Sequence, residues 1–421
     1  MAQMKVLISG AGITGNALAY WLSKLGHNVT VVERYPELRT TGLQVDLRGP
    51  GVEVLKLMGL DQAFRAKAVP EQGIAVVDSS NRRRAFFGVN NSGKGVQSFT
   101  TEYEIMRGDL CRIMYDVIKD KVTYLFGISI ESFKQKNDGV EVHFTNGNTD
   151  HFDFLVGADG MGSNTRKLML GPGSRDALRP VKGAYTAYFT IPRPIQEGEE
   201  YNSTFYLATG RRAIMTRRHN PQEMQIYLPF NSNSDRMKQA HRDGVEEQKK
   251  ALAEIYTDAG WQSKDIIRDM FDSENFYCER LGLVKLDSWF KGNVALCGDA
   301  GYCPSPLTGM GTTSGLVGAY VLAGEISRHC GTKEAAKPTD GLDVALKSYD
   351  DKFRPFIDQV THGVGDDTVF WNKMPSSRFT IAIVNLLLGI AAFLRLNVVG
   401  EWILKENVKW TLPNYDGLMR S

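Results

Sequence analysis

The chain of 421 residues has five cysteines, Cys111, Cys278, Cys297, Cys303 and Cys330, and no two of them form a Cys-x-x-Cys pair. Thiol redox couples and thiolate metal knuckles rely on that spacing, so neither is expected, and a reduced, cytoplasmic enzyme fits best. The seven histidines lie far apart, without the short repeats that put two imidazoles on one helix face, so no metal site is expected either. Charge of one sign is also missing. A formal net charge of +2 creates no field strong enough to recruit nucleic acid. No basic segment followed by an apolar run precedes the first apolar strand, as a secretory leader would require. No Ser-His-Asp or Cys-His arrangement asks for a protein nucleophile, and no catalytic side chain is assigned. Near the C-terminal end, FTIAIVNLLLGIAAFLRL at 379–396 is apolar or neutral except for Asn385 and Arg395, and its uninterrupted part falls short of the ~20 residues that span a bilayer.

What is present is ordinary for a globular protein, 42% hydrophobic and 23% charged residues, in a chain long enough for two packed regions. The apolar run MKVLIS leads into Gly10-Ala11-Gly12-Ile13-Thr14-Gly15, then into helical spacing at Ala17, Leu18, Trp21, Leu22 and Leu25. A second β-branched run, VTVVE, ends at Glu33. This is a βαβ unit with a dinucleotide fingerprint: the first glycine turns the chain, the second admits a pyrophosphate, and the third lets helix and strand pack closely. Helix N-terminal amides hold the phosphate, and Glu33, with Arg34 beside it, stands where a carboxylate accepts bonds from the adenosine ribose. One such unit does not separate NAD from FAD.

Two more buried strands end in a glycine–acid junction: HFDFLVGADG, closing on Asp159-Gly160, and NVALCGDAG, closing on Gly298-Asp299. After the first, Ser163 is placed to cap a helix that contains Arg166. Between them, from about 184 to 230, aromatic and β-branched residues alternate (AYTAYFTI, STFYLAT, AIMT, MQIYLPF), the pattern of a sheet with one face on a core or ligand. The expected architecture is α/β: a Rossmann-like dinucleotide-binding domain assembled from residues 1–71, 99–178 and 276–345, a second antiparallel-sheet substrate domain from 72–98 and 179–275, and a helical C-terminal extension over 346–421.

The junction CGDAGYCPSPLTGMGTTSGLVGAYVLAGE resembles the second FAD fingerprint of the group A flavoprotein monooxygenases, the para-hydroxybenzoate hydroxylase-like enzymes, and GADGMGSNTR resembles their Asp-Gly motif. The resemblance covers about the first 350 residues. It implies FAD, with Asp299 on the ribityl chain and with Pro306, Gly309, Gly311 and Thr312 forming the loop and helix start that face the flavin. There the positive end of the helix dipole meets charge that builds up on reduction. Arg107, in EIMRGDL, matches the family arginine that contacts FAD, and Asp159 borders FAD and the nicotinamide approach. The segment RTTGLQVDLRGPG resembles the tetracycline-inactivating branch, which suggests Asp46 beside FAD, Arg39 near the nicotinamide cofactor and Arg48 as a further contact. Tyr302 departs from the histidine that many members carry.

What the resemblance implies is reduction of FAD by NADPH or NADH, reaction with molecular oxygen to a flavin C4a-hydroperoxide, and hydroxylation of a small aromatic or polyketide-like molecule, tetracycline-type antibiotics included. A flavin-binding redox protein that inserts no oxygen is the alternative. Phe205, Tyr206, Met215, Tyr227 and Phe230 of the alternating sheet are the substrate-facing candidates. Arg212, Arg217 and Arg218 are read as a solvated edge, although each offers charge to an anion. The apolar helix near 381–394 is expected to cover the substrate opening, with a subunit interface or membrane contact as alternatives, in a monomer or homodimer.

Overall fold

The first strand, Lys5–Ser9, is apolar at its centre, Val6 to Ile8, because both of its faces are covered. Val6 and Ile8 face a core formed with the helices Ile13–Lys24 and Gly311–His329, whereas Leu7 faces a second core with Ile130, Val140 and Phe152. A computed structural model describes residues 3–89, 102–136, 138–331, 337–364, 374–394 and 408–419. Lys5–Ser9 lies inside a six-stranded sheet, parallel to Phe154–Gly157 on one side and to Asn28–Glu33 on the other. Thr123–Phe126 extends the sheet beyond Asn28–Glu33. Val294–Leu296 extends it beyond Phe154–Gly157, and Phe290–Lys291 closes that edge antiparallel. The helices cover one face. A three-stranded antiparallel sheet of Ile130–Lys136, Gly139–Phe144 and Thr149–Phe152 covers the other.

The second layer is a seven-stranded sheet in the order Tyr277–Val284, Leu178–Pro192, Glu223–Asn231, Arg212–Arg217, Asn202–Ala208, Gly73–Val77, Arg83–Gly88. All its pairings are antiparallel except that of Asn202–Ala208 with Gly73–Val77. Helices Asp235–Asp243, Val245–Tyr256 and Ser263–Phe271 pack on one face, burying Tyr185, Phe189, Ile226 and Leu228. Two expected boundaries shift. Tyr277–Val284, placed by sequence with the nucleotide domain, hydrogen-bonds to Leu178–Pro192 and completes the second sheet. The helix Leu342–Thr361 runs through the boundary expected at 345/346, and Leu346, Tyr349, Phe353 and Phe356 belong to the first domain's core. The boundary expected at 98/99 and the end of the apolar segment at Arg395 lie outside the described residues.

A two-stranded ribbon, Gln44–Asp46 with Glu104–Met106, joins the layers. Here Arg217 of the second sheet donates to both oxygens of Glu71, at 2.7 and 2.9 Å, and to Glu104. Gln44 donates to the same two carboxylates, and its own amide N–H reaches Gln225 at 3.1 Å. All five side chains are buried. Arg217 and Arg218 therefore correct the reading of a solvated edge: Arg218 is taken up by Glu199 and by the carbonyls of Arg193 and Glu223. Arg212 binds Asp258 and main-chain carbonyls.

Two carboxylates share one guanidinium in this cluster, and burial pushes the carboxyl of Glu104 up to about 7, against the pull of Arg217. Folded Glu104 thus holds its proton more tightly than the unfolded chain does. Its contribution to stability is full below the ordinary carboxylate range and is lost as pH rises through 7. Urea titrations are expected to show stability falling from about pH 5 to 7, with a flatter profile in Glu104→Gln; an equally steep fall in that variant would assign the slope to another group. Arg217→Met, which strands both carboxylates, is expected to cost about 3–5 kcal/mol at pH 8.

Candidate functional site

The C-terminal ends of the parallel strands open into a cavity of about 510 Å³, walled by Gly10, Gly12, Glu33, Asp159, Asp299 and Gly311 and roofed from the second sheet by Tyr277 and Glu279. Its geometry starts at the first glycine turn. Gly10 sits at φ +106°, and a Cβ on Gly15 would stand 1.9 Å from the Gly10 carbonyl oxygen, so the turn can be this tight only with glycine at both ends. The helix Ile13–Lys24 consequently begins directly at the cavity. The Glu33 carboxylate accepts the N–H of Ala11 at 2.9 Å and that of Tyr35 at 3.1 Å, which fixes the end of the second strand against the turn.

The other two junctions are tied to this one. Thr14 packs into the space left by two glycines: a Cβ at Gly298 would lie 2.5 Å from its hydroxyl oxygen, and one at Gly315 would lie 2.4 Å away. Asp159 accepts from the Ser163 hydroxyl and from both the N–H and hydroxyl of Thr165, while Ser163 caps the helix Asn164–Leu170 by accepting the N–H of Arg166. Arg166 is fully buried. It reaches Asp176 at 2.9 Å, the Met161 carbonyl at 2.7 Å and the Ala300 carbonyl at 2.9 Å, clamping the Asp-Gly loop to the Gly-Asp loop.

Of the residues singled out by sequence, Gly10, Gly12, Glu33, Arg34, Arg39, Arg107, Asp159, Asp299, Pro306 and Gly311 line the cavity. Ile13, Thr14, Gly15, Gly309 and Thr312 stand behind them in the turns and helix starts rather than in the wall. Asp46 and Arg48 lie outside the wall: they pair with each other, and the Arg48 N–H is held by the Thr313 hydroxyl at 2.9 Å. Tyr302 points away from the cavity into the core, with its hydroxyl 3.0 Å from that of Tyr349 and its ring against Trp289.

The wall carries its own charge pattern. Arg107 donates to the Thr41 carbonyl and reaches over Gly12, and Arg39 lies on the same side. Opposite them are two carboxylates. Burial raises the Asp299 carboxyl, against a hydrogen bond from Cys303 and the charge of Arg107. Burial also raises Glu279, reinforced by Asp299 and opposed by Arg39 and Arg107. Among the described residues no hydrogen bond reaches the Glu279 carboxylate. Sequence reasoning missed Glu279 and Tyr277 because their strand was given to the other domain; the alternation Tyr277, Glu279 around buried Cys278 was the available signal.

Strand parity sorts the substrate candidates. Phe205, Met215 and Tyr227 share the face that carries Arg217 and Gln225, as the pairings Phe205–Met215–Tyr227 require. Tyr206 and Phe230 correct the expectation. They point to the opposite face, where Tyr206 donates to the Ala259 carbonyl at 2.8 Å and Phe230 stacks on Tyr185 beneath the helices. On the first face Tyr227 meets Tyr188 edge-on at 5.5 Å, and Tyr188 stacks on Tyr277 at 4.8 Å, so an aromatic row leads from the sheet centre to the cavity wall. The helix Arg378–Phe393, expected to cover the substrate opening, does not line this cofactor cavity and lies along the outer strand Arg83–Gly88 of the second sheet.

The donors and acceptors gathered here suit a dinucleotide: two helix starts and two guanidiniums for phosphates, and the carboxylates of Glu33 and Asp299 for hydroxyls. A family model described as an FAD binding domain matches residues 3–363. The chain is 48% identical to the FAD-dependent monooxygenase asL4 of Sarocladium schorii, with 100% of both chains covered. It is 38% identical to the flavin-dependent monooxygenase eupH of a Phoma species, with 99% of each covered. Among solved structures, tetracycline destructase Tet(55) superposes with a TM-score of 0.77 at 28% identity, over 98% of this chain and 99% of that one. A dinucleotide cavity of this construction, in a chain matched end to end by flavin-dependent oxygenases, places the protein in the FAD-binding-domain family, among the FAD-dependent monooxygenases of group A.

Proposed function

We propose that the enzyme draws electrons from NADPH or NADH and hydroxylates a small, uncharged aromatic or polyketide-like substrate, tetracycline-type antibiotics among the candidates, bound on the face of Phe205, Met215 and Tyr227. The aromatic row Tyr227–Tyr188–Tyr277 carries this reading, because it joins that face to the cavity wall beside Glu279. Bound FAD supplies the oxygen activation and the electron transfer. The chain's own residues bind, orient and exclude water. Arg107 and Arg39 meet phosphate charge; Glu33 and Asp299 accept hydroxyl protons; the first turn of Gly311–His329 presents its positive end to the cofactor.

An uncharged substrate follows from the state of the arginine on that face. Arg217 is committed to Glu71 and Glu104, so it offers no ion pair to a substrate carboxylate. Recognition falls to ring stacking and to hydroxyl groups. Burial pushes the Tyr227 hydroxyl up to about 12, which keeps it a neutral donor through the physiological range. Glu279, an acceptor without a hydrogen-bond partner among the described residues, fits a phenolic or enolic hydroxyl. All five cysteines are buried free thiols, which suits a reduced cytoplasmic setting.

Purified enzyme incubated with NADPH or NADH, oxygen and a panel of phenols, aromatic polyketides and tetracyclines is expected to yield a product heavier by one oxygen atom, with one reductant consumed per product. Oxidation of the reductant with oxygen reduced only to hydrogen peroxide across the panel would overturn this substrate class. Asp299→Ala is expected to weaken FAD retention about tenfold to a hundredfold, the loss of one hydrogen bond to a charged group. Its thermal midpoint should change little. An unchanged flavin-to-protein ratio after dialysis would remove Asp299 from the cofactor site.

A further inference from the structure

The helix Arg378–Phe393 turns its bulk outward. Its N-terminus is closed by a capping box between Ser377 and Thr380, and its small residues do the packing: a Cβ on Gly389 would stand 2.9 Å from the Arg84 carbonyl oxygen, and Ala391 is buried. The large apolar side chains therefore face water. Phe379 is 75% exposed, Leu386 65% and Phe393 87%, in one stripe with Ile383 and Ile390 at helical spacing. The stripe runs the length of 16 residues, ~24 Å, which is a long apolar surface to leave in water.

Its surroundings are basic. No aspartate or glutamate occurs from Met374 to Leu394, and Arg378 is exposed at the helix start. The strand beneath carries Arg83 and Arg84 and follows Arg82, and the neighbouring carboxylate Asp78 pairs with both Arg82 and Arg84. In the same turn Asn81 accepts the indole N–H of Trp261, a residue type favoured at lipid–water boundaries.

We infer that this face docks on an anionic lipid surface, the helix lying in the plane of the headgroups with its stripe buried and its arginines against lipid phosphates. A span is not available to it, since no described helix is long and apolar enough to cross a membrane. A second copy of the chain is the poorer occupant. An isologous contact would bring the arginine rims of two protomers together, whereas lipid phosphate neutralises them.

The test is co-flotation of the full-length, flavin-loaded enzyme with vesicles of phosphatidylglycerol and phosphatidylcholine, against vesicles of phosphatidylcholine alone. Partition is expected to be at least about tenfold higher on the anionic vesicles and to fall with added salt. Leu386→Asp/Phe393→Asp alters only exposed positions, so it should retain its flavin spectrum while losing about tenfold or more of its binding. Arg83→Gln/Arg378→Gln should lose roughly fivefold per arginine. Protein left in solution with both vesicle types overturns the inference, as does binding unchanged by Leu386→Asp/Phe393→Asp. Equal flotation on neutral vesicles overturns the anionic assignment, and a dimer dispersed by the aspartates without any flotation gives the face to a second copy instead.

Discussion

Two helix starts are held side by side at one point of the fold, by Thr14 wedged between Gly298 and Gly315. Each start carries the partial positive charge of its free amides, so bringing the helices Ile13–Lys24 and Gly311–His329 together is electrostatically unfavourable unless something negative lies between them. Glu33 supplies part of that by accepting the Ala11 N–H. A pyrophosphate supplies the rest. The contact thus prepares the site before any cofactor arrives: it requires a residue without a Cβ on two separate segments, and it stores a demand for an anion at the place where they meet.

The remaining charges divide by whether they are satisfied. Arg166 spends its donors on Asp176 and two carbonyls, and Arg217 spends its donors on Glu71 and Glu104; both are fasteners, one between the glycine–acid loops and one between the two sheets. Glu279 is the contrasting case, half-buried near Asp299 with no hydrogen bond among the described residues. A carboxylate is expensive to desolvate without partners, so one that faces a cavity in this state marks where a donor from a bound molecule belongs.

The sequence carried the cofactor half of the molecule clearly because its motifs are short-range. Gly10 to Glu33 spans one strand, one turn and one helix, and each residue's role follows from neighbours a few positions away. The second sheet was legible only as alternation. Tyr206 and Phe230 look no different in sequence from Phe205 and Tyr227, and the register that sends them under the helices is set by pairings with Gly73–Val77 and Leu178–Pro192 far along the chain. Arg217 read as solvent-facing for the same reason: its partners Glu71 and Glu104 are more than a hundred residues away. The boundary at 345/346 failed because a helix can change neighbours without any break in its own pattern, and Leu342–Thr361 packs into the core of the first domain along its whole length.

Sorting the sheet faces also bears on what the proposed substrate face could recognise. The cofactor end of the cavity holds charges that form no ion pair among the described residues: Arg39, Arg107, Asp299 and Glu279. Beyond Tyr277 the polar groups on the face are neutral hydroxyls or members of the closed Arg217 cluster, and burial keeps the Tyr188 and Tyr277 hydroxyls protonated. A planar molecule on this face gains from stacking and loses little by desolvation, whereas a charged one would meet no counter-ion there. The same absence of free charge would leave little to hold water on the proposed substrate side, which is the condition an oxygen-transferring site needs. On the proposed reading, preference for apolar aromatic molecules and protection of the reaction from water would both follow from a single arrangement, the committal of Arg217 to the ribbon that joins the two layers.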